Sequence, residues 1–350
     1  MKTSMHAAHE SRKPRTLYKA LPLLALFAAP VALAQSSVTI YGIVDLFVET
    51  ASAGNGTVTR IESGGRDGSR LGFRGREDLG GGLDAHFTLE MGILADTGAL
   101  DQGGLTWGRQ AYVGLGGPWG NLNLGRQNTP QFLTTYVLDP FLLGQSGNLW
   151  NVSGYLNFRQ NDSIVYETPK LGAVSARLMF APNEKTSLLY GRYVAGSVMY
   201  ADGPLMLTAS VDRIAGWGTT PDQKYTVIGG TYALGMAKIY AGVQLLKNTV
   251  GFPQNSTNAR VYNIGTRVGF GNTTVVAQVA RRQERSQSGL NATMASVGAE
   301  YALSKRTNLY SSFSRISNDS GAAWGMGYTQ IPAKAGSGVR ALQAGINHSF

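Results

Sequence analysis

Arg70, Arg74 and Arg76, within SRLGFRGREDLGGGL (69–83), are residues whose type and spacing could act on a ligand. An extended chain sends alternate side chains to opposite faces. The three arginines therefore share one side, and Leu71 and Phe73 share the other. A row of guanidinium groups steers and binds anions through charge-assisted hydrogen bonds. Catalysis finds much less to work with. There is no cysteine, so thiolate chemistry and disulfides are excluded. Beyond the N-terminal region the only histidines are His86 and His348. We find no Gly-x-Ser-x-Gly elbow, no phosphate loop opening a helix and no His/Cys metal spacing. The expectation is a protein that is not an enzyme and that carries neither cofactor nor metal.

The elements that must hold these arginines read as strands. The chain has 350 residues with 46 glycines, 16 tyrosines and 15% charged residues, a composition of strands and turns rather than helices. Residues 1–34 read as a secretory signal peptide: basic positions up to Lys19, an apolar stretch 20–33, and Ala32-Leu33-Ala34 as the cleavage site. That leader takes five of the 31 basic and one of the 21 acidic residues, leaving a net charge of +6 for 35–350. So small an excess, spread along an exported chain, is no nucleic-acid footprint. After Ala34 no apolar run reaches the ~20 residues of a transmembrane helix.

Alternating segments recur instead, at 38–48, 69–83 with its turn, 83–93, 109–115, 121–126, 163–168, 174–180, 188–200, 205–212, 225–234, 237–246, 260–270, 273–283, 293–303, 307–316 and 338–350. That is sixteen, an even number. Their connections alternate in length. Short turns such as 80–82, 116–120, 169–172, 201–204 and 234–236 separate longer polar links at 50–68, 94–108, 127–161, 181–187, 213–223, 247–257, 284–291 and 317–337. Short turns at one end and long loops at the other are the signature of a transmembrane β-barrel. The expected fold is all-β: a 16-stranded antiparallel transmembrane β-barrel with short periplasmic turns and long extracellular loops.

Energetics assigns the faces. Lipid satisfies no backbone polar group, so only a closed sheet survives there, and an outward arginine costs about 2–4 kcal/mol at the midplane. Leu71 and Phe73 therefore face lipid and the arginines face the interior. Tyr262, Ile264 and Phe270 likewise oppose Asn263 and Arg267, and Leu342 and Ile346 oppose Gln343 and Asn347. Tyr232, Phe270, Tyr301 and Phe350 fall at the short-turn end, where an aromatic girdle would sit. Sixteen strands leave a water-filled lumen.

The segments Ser37-Val-Thr-Ile-Tyr-Gly-Ile-Val-Asp45, the 69–83 stretch, Arg109-Gln-Ala-Tyr-Val-Gly-Leu115 and Leu124-Gly-Arg126 together resemble the general porins of Gram-negative β-proteobacteria, the Bordetella, Burkholderia and Neisseria type. The terminal Gly345-Ile-Asn-His-Ser-Phe350 is similar to the signal through which barrel-assembly machinery recognises such proteins, with Phe350 as its aromatic end. The resemblance implies a homotrimer in outer-membrane lipid and lipopolysaccharide, with the third long link, 127–161, folded into the lumen as the constriction. It also implies that small anions and hydrophilic solutes pass a constriction lined by Arg70, Arg109 and Arg159. Relatives often carry an acid directly after a tyrosine in this loop. Here Val137 follows Tyr136, and Asp139 is the only acid between 127 and 161, with Glu90 expected as its companion. Arg74, Arg76, Arg126, Arg177, Arg267, Arg282 and Asp45 are expected to line the pore wall. A surface barrel whose loops bind a host or phage partner is the other function left open.

Overall fold

Lipid on one side and water on the other demand strands of strict alternation, and the sheet obeys. In the computed structural model residues 37–54, 56–154, 157–182, 191–216, 221–249, 258–326 and 333–350 are described. The expected leader 1–34 lies outside them, as do parts of several expected links and the start of the expected strand 188–200.

The strands are β1 (Ser37–Ser52), β2 (Thr57–Ser63), β3 (Arg70–Gly80), β4 (Leu83–Leu94), β5 (Ala99–Leu100), β6 (Gln110–Gly117), β7 (Gly120–Asn128), β8 (Arg159–Glu167) and β9 (Val174–Ala181). They continue with β10 (Tyr193–Asp202), β11 (Leu205–Ile214), β12 (Gln223–Leu234), β13 (Ala237–Lys247) and β14 (Asn258–Phe270). The last are β15 (Thr273–Glu284), β16 (Ala292–Ala302), β17 (Thr307–Asn318) and β18 (Val339–Ser349). Pairing is antiparallel throughout, and β18 closes the sheet on β1. Two of these strands add no stave to the barrel. β5 is a two-residue hairpin partner at the end of β4. β2 and β3 pair with the upper and lower halves of β1 and are one stave interrupted at 64–69. Sixteen staves therefore close the barrel.

The faces follow the sequence parity. Ile264, Leu342, Ile346 and Val113 are half exposed on the outside, whereas Gln244, Gln278, Gln343 and Asn347 are buried on the inside. Tyr232, Phe270, Tyr301 and Phe350 stay exposed at the short-turn end. Closure gives almost every strand amide a partner, which lipid could not supply. The short turns rest on glycine: Gly80, Gly81 and Gly82 all have positive φ (80°, 63° and 78°), a left-handed backbone that a side chain would strain.

The 127–161 link is not irregular, as its composition suggests. Thr129 caps an α-helix, α1 (Pro130–Leu138), by accepting the Phe132 amide at 3.2 Å. Pro130 sits where a missing N–H is harmless, and Pro140 forbids helix beyond Asp139. α1 packs against the inner surface of β9–β13, and a second turn, α2 (Trp150–Ser153), packs against β15 and β16. The link thus covers the inner wall of one half of the barrel.

Candidate pore constriction

The two halves of the constriction are assembled by separate devices. On the first side, the Asp45 carboxylate accepts the amides of Gly65, Arg66 and Asp67 at 2.9, 3.1 and 3.0 Å. It also accepts the Tyr310 hydroxyl at 2.5 Å and Asn347 Nδ2 at 2.9 Å. Charge-assisted bonds of this kind contribute about 1.5–3 kcal/mol each. They fold the 64–67 turn inward, away from the stave that β2 and β3 share. Asp45 is consequently buried and does not line the pore, contrary to the expectation from its parity.

The turn instead brings in a residue the sequence reading missed. Arg66 pairs with Asp67 at 2.7 Å and with Glu300 at 3.3 Å. Its signal was present in the glycine-flanked Arg-Asp of GGRDG (64–68), which reads on composition as the tail of a surface link.

On the opposite side, Asp139 anchors the loop to itself. Its carboxylate accepts the amides of Phe141, Leu143 and Leu149 at 3.0, 3.1 and 2.8 Å and is fully buried. Burial pushes the Asp139 carboxyl up to about 6, and these three amides oppose the rise. The only acid of the loop is thus a structural staple and not the negative half of a constriction. Polar inward residues then bind the loop to the wall: Asn263 donates to the Leu138 carbonyl at 3.0 Å and Gln278 to the Gly147 carbonyl at 3.0 Å. The Gln145 amide donates to the Gly65 carbonyl, joining loop to turn.

A cavity of about 520 Å³ lies between these halves, and Arg66, Arg70, Arg109 and Arg159 all border it. Arg70 donates Nε to the Gly68 carbonyl at 2.8 Å. Arg109 donates Nε to Glu90 at 2.7 Å, and Glu90 also accepts the Tyr41 hydroxyl at 3.0 Å. Glu90 therefore neutralises an arginine on the same wall instead of facing it with Asp139. Arg159 begins β8 opposite Asn128, beside a register shift, and its Nε is buried without a hydrogen-bond partner. Four acids also border the cavity. Glu62 pairs with Arg60, Asp67 with Arg66 and Glu90 with Arg109, while Asp101 is engaged by its neighbour Gln102 in the β4–β6 link. Among the described residues, Arg70 and Arg159 have no carboxylate within ion-pair distance.

The remaining arginines divide by task. Arg74 lies over the Tyr41 ring at 5.3 Å, and the exposed Arg76 pairs with Asp84 at 2.6 Å. With His86 they border a smaller cavity toward the short-turn end. Arg126 donates to the Gly108 carbonyl and to Asn161, and Arg177 pairs with Glu167 and donates to the Asn128 carbonyl. Arg267 is spent on the Pro140 carbonyl at 2.7 Å and on Glu300 at 2.8 Å. Arg282, buried under Trp324 at 4.1 Å, donates to the carbonyls of Val152 and Ser153. These last two clamp the loop instead of lining an open wall, because each reaches a loop carbonyl first. At the chain end, Phe350 exchanges backbone hydrogen bonds with Gly42 at 3.1 and 3.2 Å.

A closed sheet with an apolar outer face, a polar inner face and a charged waist defines an outer-membrane β-barrel channel. The model of the Gram-negative porin family matches residues 20–321, and the chain belongs to that family. It is 32% identical to the outer membrane porin protein 32 of Delftia acidovorans over 95% of this chain and 99% of that one. It is 29% identical to the major outer membrane protein P.IB of Neisseria gonorrhoeae over 87% and 95% of the two chains. Among solved structures, the anion-selective porin from Comamonas acidovorans superposes with a TM-score of 0.80 at 29% identity, covering 90% of this chain and all of that one. A trimer form of OmpT from Vibrio cholerae shares the fold, with a TM-score of 0.65 at 16% identity over 90% and 99%. This protein is an outer-membrane porin, a multi-pass β-barrel channel and not an enzyme.

Proposed function

We propose that this porin is a general diffusion channel for small hydrophilic solutes that prefers anions, with Arg70, Arg109 and Arg159 at a constriction narrowed by 127–161. One observation carries the reading: Arg70 and Arg159 border the waist without a carboxylate partner, while the only acid of the facing loop is folded into its own backbone. Cations with no ion-pair partner in a channel with low-dielectric walls focus the field on passing ions. The anion-selective relative from Comamonas acidovorans supports the same sign. In our reading the protein assembles as a homotrimer, as the OmpT trimer form does. Residues 1–34 are taken to be its signal peptide and Phe350 its assembly signal. The test is recording from purified protein in planar bilayers under a salt gradient. We expect a reversal potential of anion-preferring sign and closure in three equal steps. A cation-preferring sign removes the selectivity assignment, and single steps remove the trimer.

A further inference from the structure

The α1 helix turns three polar residues toward the wall, alongside Pro130 and Leu138. Gln131, Thr134 and Thr135, spaced for one helical face, are almost wholly buried. The Gln131 amide donates to the inward Asp212 carboxylate at 3.2 Å, and its side-chain oxygen accepts the Asn157 amide at 3.2 Å. The opposite face therefore turns Phe132, Leu133 and Tyr136 toward the cavity, where Trp150 and Phe158 join them. A helix facing a water-filled lumen would ordinarily show the reverse arrangement. These side chains are partly buried, packing on the core with one side and bordering the cavity with the other. An apolar surface left bordering an aqueous cavity marks a binding site more often than chance exposure.

The rings are also fixed in place. Phe132 and Phe158 meet edge to face with centroids 5.2 Å apart, and Trp150 and Phe158 do so at 4.8 Å. Such pairs hold their orientation, so the surface is an organised shelf and little ordering remains to be done when a ligand arrives. Arg70 and Arg159 border the same cavity, Arg159 directly following Phe158 in the chain. The loop offers no carboxylate that would repel an incoming anion, since Asp139 is buried. At about 520 Å³ the space lies within the ~300–1,000 Å³ usual for small-molecule sites.

We infer that the waist contains a subsite for aryl carboxylates, the carboxylate held by Arg70 and Arg159 and the ring laid on the shelf of Phe132, Leu133 and Phe158. This rests on the anion-preferring reading above and adds to it a preference for an apolar body. Arginine supplies the planar fork that matches a carboxylate, and the aromatic shelf supplies area and ring contact that an inorganic anion cannot use.

The experiment is block of chloride current through single channels by benzoate, acetate and benzylammonium, in the wild type and in Phe132→Ser and Leu133→Gln. Benzoate should half-block at a concentration about tenfold below acetate, the scale of one well-packed aromatic contact. Benzylammonium, with the same ring and the opposite charge, should be a weaker blocker than benzoate. Either variant should bring benzoate and acetate to within about threefold of each other while leaving the chloride reversal potential in place. Equal block by benzoate and acetate in the wild type overturns the subsite and needs no variant to fold. A benzoate advantage unchanged in both variants overturns the shelf. The chloride reversal potential, read in the same recordings, separately decides the anion preference on which the subsite rests.

Discussion

Arg159→Gln removes a cation that has no carboxylate partner among the described residues and whose Nε is buried unpaired. An ion passing 4 Å from a unit charge in water gains or loses about 1 kcal/mol. Deleting the charge disfavours the anion and relieves the cation, so the two permeabilities separate by about 2 kcal/mol before screening, roughly 30-fold. With a Debye length of about 10 Å in 0.1 M salt, most of this survives, and we expect about a tenfold fall in the anion-to-cation permeability ratio. At 1 M the Debye length is about 3 Å, and the change should shrink to about two- to threefold. Reversal potentials in planar bilayers at both salt concentrations measure it. Glu90→Gln, which uncovers Arg109, should move the ratio the other way. A shift of the same size at both salt concentrations would refute the electrostatic argument, and no shift at all would remove Arg159 from the constriction.

Two further outcomes follow from the buried carboxylates. Asp45→Asn converts one acceptor oxygen into a donor and strands at least two of five donors, at about 1–3 kcal/mol each. The 64–67 turn should detach, raising single-channel conductance and open-channel noise and lowering the thermal midpoint; an unaltered conductance and midpoint would contradict the clamp. Asp139 has its pKa raised by burial to about 6 against an ordinary value of 3.8, so the docked loop binds its proton more tightly than the released loop. Its contribution to stability is therefore fully present below about pH 4 and is lost as pH rises through about 6, a swing on the order of 3 kcal/mol. The gain in thermal midpoint between pH 7.5 and 4.5 should be smaller in Asp139→Asn than in the wild type, and equal gains would contradict the assignment.

The barrel was legible because its determinants are local. Parity, turn glycines and the alternation of short and long connections are written within a dozen residues of one another, and most staves fall within a few residues of the segments read from them. The exception is β2 (Thr57–Ser63), which lies in the expected link 50–68, while residues 188–190 of the expected strand 188–200 lie outside the described residues. Motif positions singled out Arg70, Arg109 and Arg159, and all three border one cavity. The errors were of another kind. Alternation says that Asp45 and Glu90 point inward but not what covers them. Nor does the sequence of the link say that Asp139 turns into its own backbone. α1 and the inward 64–67 turn also passed unnoticed, since Gly, Thr and Asn read as surface loop whether or not an inner wall waits for them.

By itself, then, the sequence determined the membrane-facing architecture, because lipid exacts a free-energy penalty at each outward position independently of the rest of the chain. Tertiary structure decided which inward charges remain available to a solute. Asp45 is consumed by groups 20 to 302 residues away, and Asp139 by amides that reach it only when the loop folds back on itself. No carboxylate comes within ion-pair distance of Arg70 or Arg159 among the described residues, a three-dimensional circumstance that no spacing along the chain encodes.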